Sequence, residues 1–239
     1  MNTGHFVRIY LFLMLMMTSG VSLAGIQVGG TRVIFPASDH EASLQVRNEG
    51  TDDIMIQSWI EAGPEQADRD IPFAITPSLA RLSHRKQQML RIFYQGKGLP
   101  EDRESVLWVS VQEIPQVSEL DNTLQVAFRQ RLKLFYRPNG LPGTADEAAS
   151  TLKWNILKTA GKTILLATND SAFHVSFAKI AIVAGNKEYA VEPTMVGPHD
   201  AQRMAIKDMP ATAGGEATIA WESINDYGAL IEHKASIKF

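Results

Sequence analysis

Three basic side chains alternate within the stretch Asp121–Pro138, DNTLQVAFRQRLKLFYRP: Arg129, Arg131 and Lys133. Successive side chains of a β-strand point to opposite faces, so bases at every second residue share one face. The chemistry open to such a row is anion recognition, through charge-assisted hydrogen bonds to carboxylate or phosphate oxygens. For Arg129 and Arg131 the solvated face of an edge strand is explanation enough, because charge there discourages edge-to-edge pairing. Lys133 fits that explanation less well, since Leu132, Leu134, Phe135 and Tyr136 crowd it with apolar neighbours. A cation so placed needs a carboxylate partner, from within the chain or from a ligand.

The remaining motifs carry little chemistry. Gly161-Lys162-Thr163 ends like a phosphate-binding loop, but that loop needs a glycine five residues before its second one, where Ile156 stands. No G-x-S-x-G elbow or H-E-x-x-H helix occurs, and the six histidines (His5, His40, His84, His174, His199, His233) show no pair at ligand spacing. Asn169-Asp170-Ser171 matches a glycosylation sequon that is too short to build on. With no cysteine, thiol catalysis and disulfides are excluded. An enzyme has no positive support, and neither a metal nor an organic cofactor is expected. A formal net charge of −3 argues against a nucleic-acid partner, which calls for a basic domain.

The elements that position the basic row read as β-structure. Across from the bases, Leu124, Val126 and Phe128 form an apolar face that Gln130 interrupts and Leu132, Leu134 and Tyr136 resume. A strand running from Thr123 to Arg137 would span roughly 45 Å, longer than the usual ~3–10 residues of a globular strand. Upstream, Gly25–Phe35 reads as one strand, with Gly29-Gly30 permitting a bulge or a switch between sheets. Runs at Ala42–Asn48, Asp53–Glu61, Pro72–Thr76, Gln88–Tyr94 and Ser105–Glu113 follow, separated by turn signals. Short strands at this spacing fit an immunoglobulin-like sandwich. The turn-rich Asn139–Gly143 and the small, polar Thr144–Ser150 mark a domain boundary. Beyond it lie Leu152–Leu157, Thr163–Thr168, Phe173–Val183, Lys187–Val191, Gln202–Ile206, Ala217–Trp221 and Leu230–Phe239. No helix of convincing length is expected, and the fold class is all-β in two sandwich domains, residues 25–143 and 144–239.

Residues 1–24 read as a secretory signal peptide. His5 and Arg8 give a basic start, IYLFLMLMM (Ile9–Met17) is an apolar run far short of the ~20 residues a bilayer requires, and Ser22-Leu23-Ala24 offers a cleavage site. Cutting after Ala24 leaves an exported chain that relies on its hydrophobic cores alone.

Several stretches together carry a family resemblance. They are Thr31–Pro36 (TRVIFP), Gln57–Ile60, Pro72–Pro77, Arg81-Leu82, Leu99–Ser105 with its D-R-E-S, Glu113-Ile114-Pro115, Arg131–Pro138 (RLKLFYRP) and Ile224–Gly228 (INDYG). In order and spacing the chain resembles the PapD-like periplasmic chaperones of the chaperone–usher pilus pathway. The short segment between Pro115 and Leu124 and the lack of cysteines resemble the short-loop type. Departures are Ser78 and Gln116, which stand where the family often has second prolines.

The resemblance implies two immunoglobulin-like domains set as an L around a cleft, PapD being a known sandwich of this kind. It implies that Arg32 and Lys133 anchor the C-terminal carboxylate of a pilus or fimbrial subunit, which supplies the partner Lys133 lacks. Leu124, Val126 and Phe128 would fill the subunit's open groove by strand addition, as known from chaperone–pilin complexes. Glu104, Arg137 and Asp226 would form an interdomain charge network. An outer-membrane usher would receive the subunit, and the periplasm is the implied compartment. The free protein as single copies and as copies paired edge to edge are both compatible with the sequence. A structural pilus subunit or adhesin is the alternative, but Gly25–Gly30 is too short and glycine-rich for a donor extension. A sugar-binding sandwich would place aromatics in loops, whereas the four tryptophans fall mostly in expected strands.

Overall fold

The computed structural model describes residues 25–63, 70–116, 124–159, 162–210 and 214–238. The expected signal peptide (residues 1–24), most of the short segment before Leu124 (residues 117–123) and Phe239 lie outside the described residues.

The chain up to Arg137 folds into β1 (Ile26–Val28), β2 (Arg32–Pro36), β3 (Ala42–Asn48), β4 (Ile54–Glu61), β5 (Phe73–Thr76), β6 (Leu79–Leu82), β7 (Gln87–Tyr94), β8 (Ser105–Ile114) and β9 (Arg129–Arg137). Two sheets, ordered β1-β3-β7-β5 and β2-β9-β8-β4-β6, share one core. Period-two patterning decides what enters it: Leu44, Val46 and Asn48 of β3 and Leu132, Leu134 and Tyr136 of β9 are buried. Phe35, Phe73, Tyr94 and Tyr136 close the core with mutual ring contacts, the shortest 4.4 Å between Tyr94 and Tyr136.

Gly25–Phe35 is two strands rather than the one expected. β1 pairs antiparallel with β3, while β2 pairs parallel with β9 in the other sheet. The switch falls at Gly29-Gly30, where Gly30 takes a φ of 135° that only glycine adopts without strain. β6 was not expected; only four residues long, with Leu82 its one fully buried side chain, it shows no legible period.

The long strand is also shorter than expected. β9 starts at Arg129, and residues 124–128 carry no strand pairing. The reason lies in the partner. Arg129 pairs with Gln112 of β8, and two residues beyond the ladder β8 ends at Ile114, before Pro115. Proline has no N–H to donate to a ladder. One further bond, Glu113 N to Phe128 O at 3.0 Å, is the last rung.

The second half opens with a short helix, α1 (Ala145–Ser150), in the segment expected to be linker. Its sequence signal is the T-x-x-E of Thr144 and Glu147: the Thr144 hydroxyl accepts from Glu147 N at 3.2 Å, and Asp146 and Glu147 sit in the first turn. Ala148 and Ala149 are buried, and Trp221 Nε1 donates to Ala149 O at 3.1 Å, so the helix packs on the second sandwich. That sandwich comprises β10 (Lys153–Thr159), β11 (Lys162–Asn169), β12 (Phe177–Ala184), β13 (Lys187–Val191), β14 (Asp200–Ala205), β15 (Glu216–Ile224) and β16 (Leu230–Lys238). Its sheets run β10-β11-β14 and β13-β12-β15-β16 around a core of Leu165, Ile180, Ile182, Met204, Ile219 and Trp221.

Candidate functional site

Parallel pairing of β2 with β9 sets Arg32 directly opposite Lys133. Neighbouring strands lie ~4.8 Å apart and paired residues face the same way, so the two cations stand side by side. Both reach the second sandwich: Arg32 Nη1 donates to Ile224 O at 2.8 Å, and Lys133 Nζ donates to Ser176 Oγ at 3.0 Å. The Arg32 guanidinium lies 5.7 Å from the Phe135 ring centre and the Lys133 ammonium 5.9 Å from that of Trp108.

Among the described residues neither cation forms an ion pair with a carboxylate. Burial, and then the Arg32 charge, pull the Lys133 ammonium down to a pKa of about 8. Burial also lowers Arg32, with Asp226 and Glu104 opposing it from a distance. Arg32 Nε is buried without a hydrogen-bond partner. Two like charges held together, one with an unspent buried donor, are the arrangement that an anion satisfies.

Behind this pair lies a second charge cluster that joins the two sandwiches. Glu104, 3% exposed, accepts from Arg137 Nε at 3.0 Å and Nη2 at 2.9 Å through Oε1. Its Oε2 accepts from His174 N at 2.9 Å and lies 3.0 Å from His174 Nδ1. Arg137 donates on its other side to both oxygens of Asp226, at 2.7 and 3.0 Å. Burial alone would lower the Arg137 pKa, but the bonds and charges of Asp226 and Glu104 outweigh it and raise it. The structure thus brings Glu104, Arg137 and Asp226 together across the junction. His174 belongs with them and was missed, since nothing local in the sequence distinguishes it from the other five histidines. The INDYG turn presses closely on the first sandwich, and Gly228, at φ 82°, leaves no room for a Cβ, which would stand 2.5 Å from Thr31 Oγ1.

Leu124, Val126 and Phe128 are 87%, 55% and 57% exposed, so the sandwich does not close over them. They precede the part of β9 that β2 leaves uncovered, because β2 pairs only from Lys133 onward. Among the described residues no strand pairs with Arg129–Leu132 on that side, an open sheet edge of the kind that templates strand addition. Gln130, which breaks the apolar row, turns inward and donates to Ile26 O at 2.8 Å.

Arg129 and Arg131 are exposed, as expected of them, and also have partners within the fold. Their guanidiniums lie 4.8 Å from the Trp59 ring centre and 4.2 Å from that of Trp108, and pair with Glu61 at 2.5 and 2.6 Å. Burial pushes the Glu61 carboxyl up, but Ser110, Trp59 and the two arginines hold it below its ordinary value. These arginines thus have an acidic partner within the fold, whereas Arg32 and Lys133 have none among the described residues.

Comparison with known proteins agrees with this architecture. The model of the Pili and flagellar-assembly chaperone, PapD N-terminal domain, matches residues 25–142. That of the Pili assembly chaperone PapD, C-terminal domain, matches residues 147–235. The probable fimbrial chaperone YadV of Escherichia coli K12 is 34% identical over 245 aligned positions, which cover 99% of each chain. The crystal structure of the YadV chaperone superposes with a TM-score of 0.79 at 34% identity, over 89% of this chain and 100% of that one. The SafB chaperone of Salmonella enterica, solved in complex with SafA pilin, gives 0.74 at 28% identity, over 92% and 99%.

Proposed function

The chain belongs to the PapD family of pili assembly chaperones, and on that premise we propose how its residues perform the work. It is a fimbrial chaperone with two immunoglobulin-like domains that binds and stabilises pilus subunits by donor-strand complementation. Arg32 and Lys133 grip the subunit's C-terminal carboxylate. The open edge of β9 then pairs with the subunit, and Leu124, Val126 and Phe128 enter its unfilled groove. Burying three such side chains contributes roughly 5–9 kcal/mol before the costs of association, at ~1.5–3 each. The anchor fixes the register, which matters because a one-residue slip turns every side chain to the wrong face. Glu104, Arg137 and Asp226 hold the two domains, divided near Gly143 and Thr144, in a fixed relation. Delivery to an outer-membrane usher, residence in the periplasm and a role without catalysis complete the reading.

The observation that carries it is the in-register pair of part-buried cations that, among the described residues, form no ion pair with a carboxylate. The test is a peptide of the subunit's C-terminal strand, bound as the free acid and as the amide. Loss of one partner of a buried charge pair costs ~2–5 kcal/mol, so the amide is expected to bind roughly 30-fold weaker or more. Equal affinities for acid and amide would remove the anchor.

The apolar row is tested separately. Val126→Glu puts a charge where the subunit core would close, and co-purified subunit is expected to fall severalfold. Because Val126 is 55% exposed, the Tm of the free protein should stay within about 2 °C. Undiminished recovery of the complex would show that this row does not enter the groove.

A further inference from the structure

Glu113 is 5% exposed, and its Oε2 is buried with no hydrogen-bond partner. Its Oε1 receives one long contact, 3.4 Å from Phe128 N. Among the described residues no lysine, arginine or histidine pairs with it. A buried carboxylate oxygen without a donor is costly, so such a place calls for a cation. What lies against it is Gly25: a Cβ built there would stand 2.0 Å from Glu113 Oε2 and 2.7 Å from its Cδ. The Gly25 nitrogen is one bond, about 1.46 Å, from the same Cα. Gly25 is itself fixed, since Glu49 N donates to its carbonyl at 2.9 Å.

We propose that cleavage after Ala24 supplies the missing cation: the new α-ammonium of Gly25 pairs with Glu113. Hydrolysis of the Ala24–Gly25 peptide bond adds water across it, leaving a carboxylate on Ala24 and an amine on Gly25 that takes up a proton. In the unprocessed chain the same nitrogen is an uncharged amide. The pair has a consequence for the site, because Glu113 N holds Phe128 O in the last rung before the capture segment leaves the sheet. Processing therefore braces the root of that segment. A side chain at Gly25 would displace the Glu113 carboxylate from this position, since its Cβ would stand 2.0 Å from Oε2.

The test compares the processed protein with one that keeps Ala24 as its first residue, each with Glu113 and with Glu113→Gln. N-terminal sequencing should place the mature start at Gly25. With Glu113, the extended chain is expected to melt ~5 °C lower; with Glu113→Gln, the extension should change little. A start at another residue, equal melting of the first two proteins, or the same penalty in the Glu113→Gln background would each overturn the pairing. Should Glu113→Gln fail to fold, the α-amine gives an independent reading. Its acylation by an amine-reactive label is expected to be at least tenfold slower in the native protein than in denaturant, and equal rates would refute the ion pair.

Discussion

Replacing Lys133 with methionine is expected to raise the thermal stability of the free chaperone while destroying its hold on subunits. The two effects share one cause. An unfolded lysine titrates near 10.5, whereas burial and Arg32 hold folded Lys133 at about 8. Between those values the unfolded chain carries the extra proton, so stability rises with pH across the window, and the full cost of the buried charge is present below about 8. At neutral pH Lys133→Met removes that cost and keeps the apolar stem, and Tm should increase by several degrees. Capture moves the other way, because the carboxylate loses its ammonium, a loss of ~2–5 kcal/mol. Wild-type capture has its own pH signature. Binding a carboxylate raises the Lys133 pKa above its free value, so affinity is full below pH 8 and falls above it by up to tenfold per unit, a dependence that Lys133→Met abolishes. Calorimetry of the free protein and binding isotherms from pH 6 to 10 measure both. A Lys133→Met variant that is less stable, or that captures subunit with the wild-type pH profile, would contradict the account.

That trade explains why the site was only partly legible in sequence. Lys133 stood out because its immediate neighbours are apolar, which is local information. Arg32 did not stand out by itself. Its nearness to Lys133 comes from a parallel pairing between strands about a hundred residues apart, and only resemblance suggested it. Arg129 and Arg131 show the same limit from the other side: they are exposed as expected, but their partners Glu61, Trp59 and Trp108 come from two other strands and could not be read locally. The all-β class and most strands were legible from period-two patterning, which is strong wherever one face is buried, as in β3. Where no partner strand exists the pattern overreached. Leu124, Val126 and Phe128 keep the alternation of a strand without being in one, since alternation records what a segment is built to pair with as well as what it pairs with when alone.

Removing Arg137 is expected to be the most damaging single change to stability. Its guanidinium faces Glu104 on one side and Asp226 on the other, and Glu104 is almost wholly buried. Breaking a buried pair by deleting one partner costs ~3–5 kcal/mol, because the surviving charge is left in a poor dielectric. Arg137→Met should lose about that much in urea unfolding. Glu104→Gln in the same background should recover part of the loss, since an amide can still meet His174 N. The recovery separates two roles that the cluster combines. If the cluster serves stability alone, the double variant should regain subunit capture in proportion to its stability. If Arg137 also holds Asp226, and with it the second sandwich, in the relation that lets Arg32 reach Ile224 and Lys133 reach Ser176, capture should stay low in a refolded and stable protein. The second outcome is expected, because both cations take their contacts from the far side of a junction that Arg137 bridges. Wild-type capture by the double variant would confine the cluster to folding.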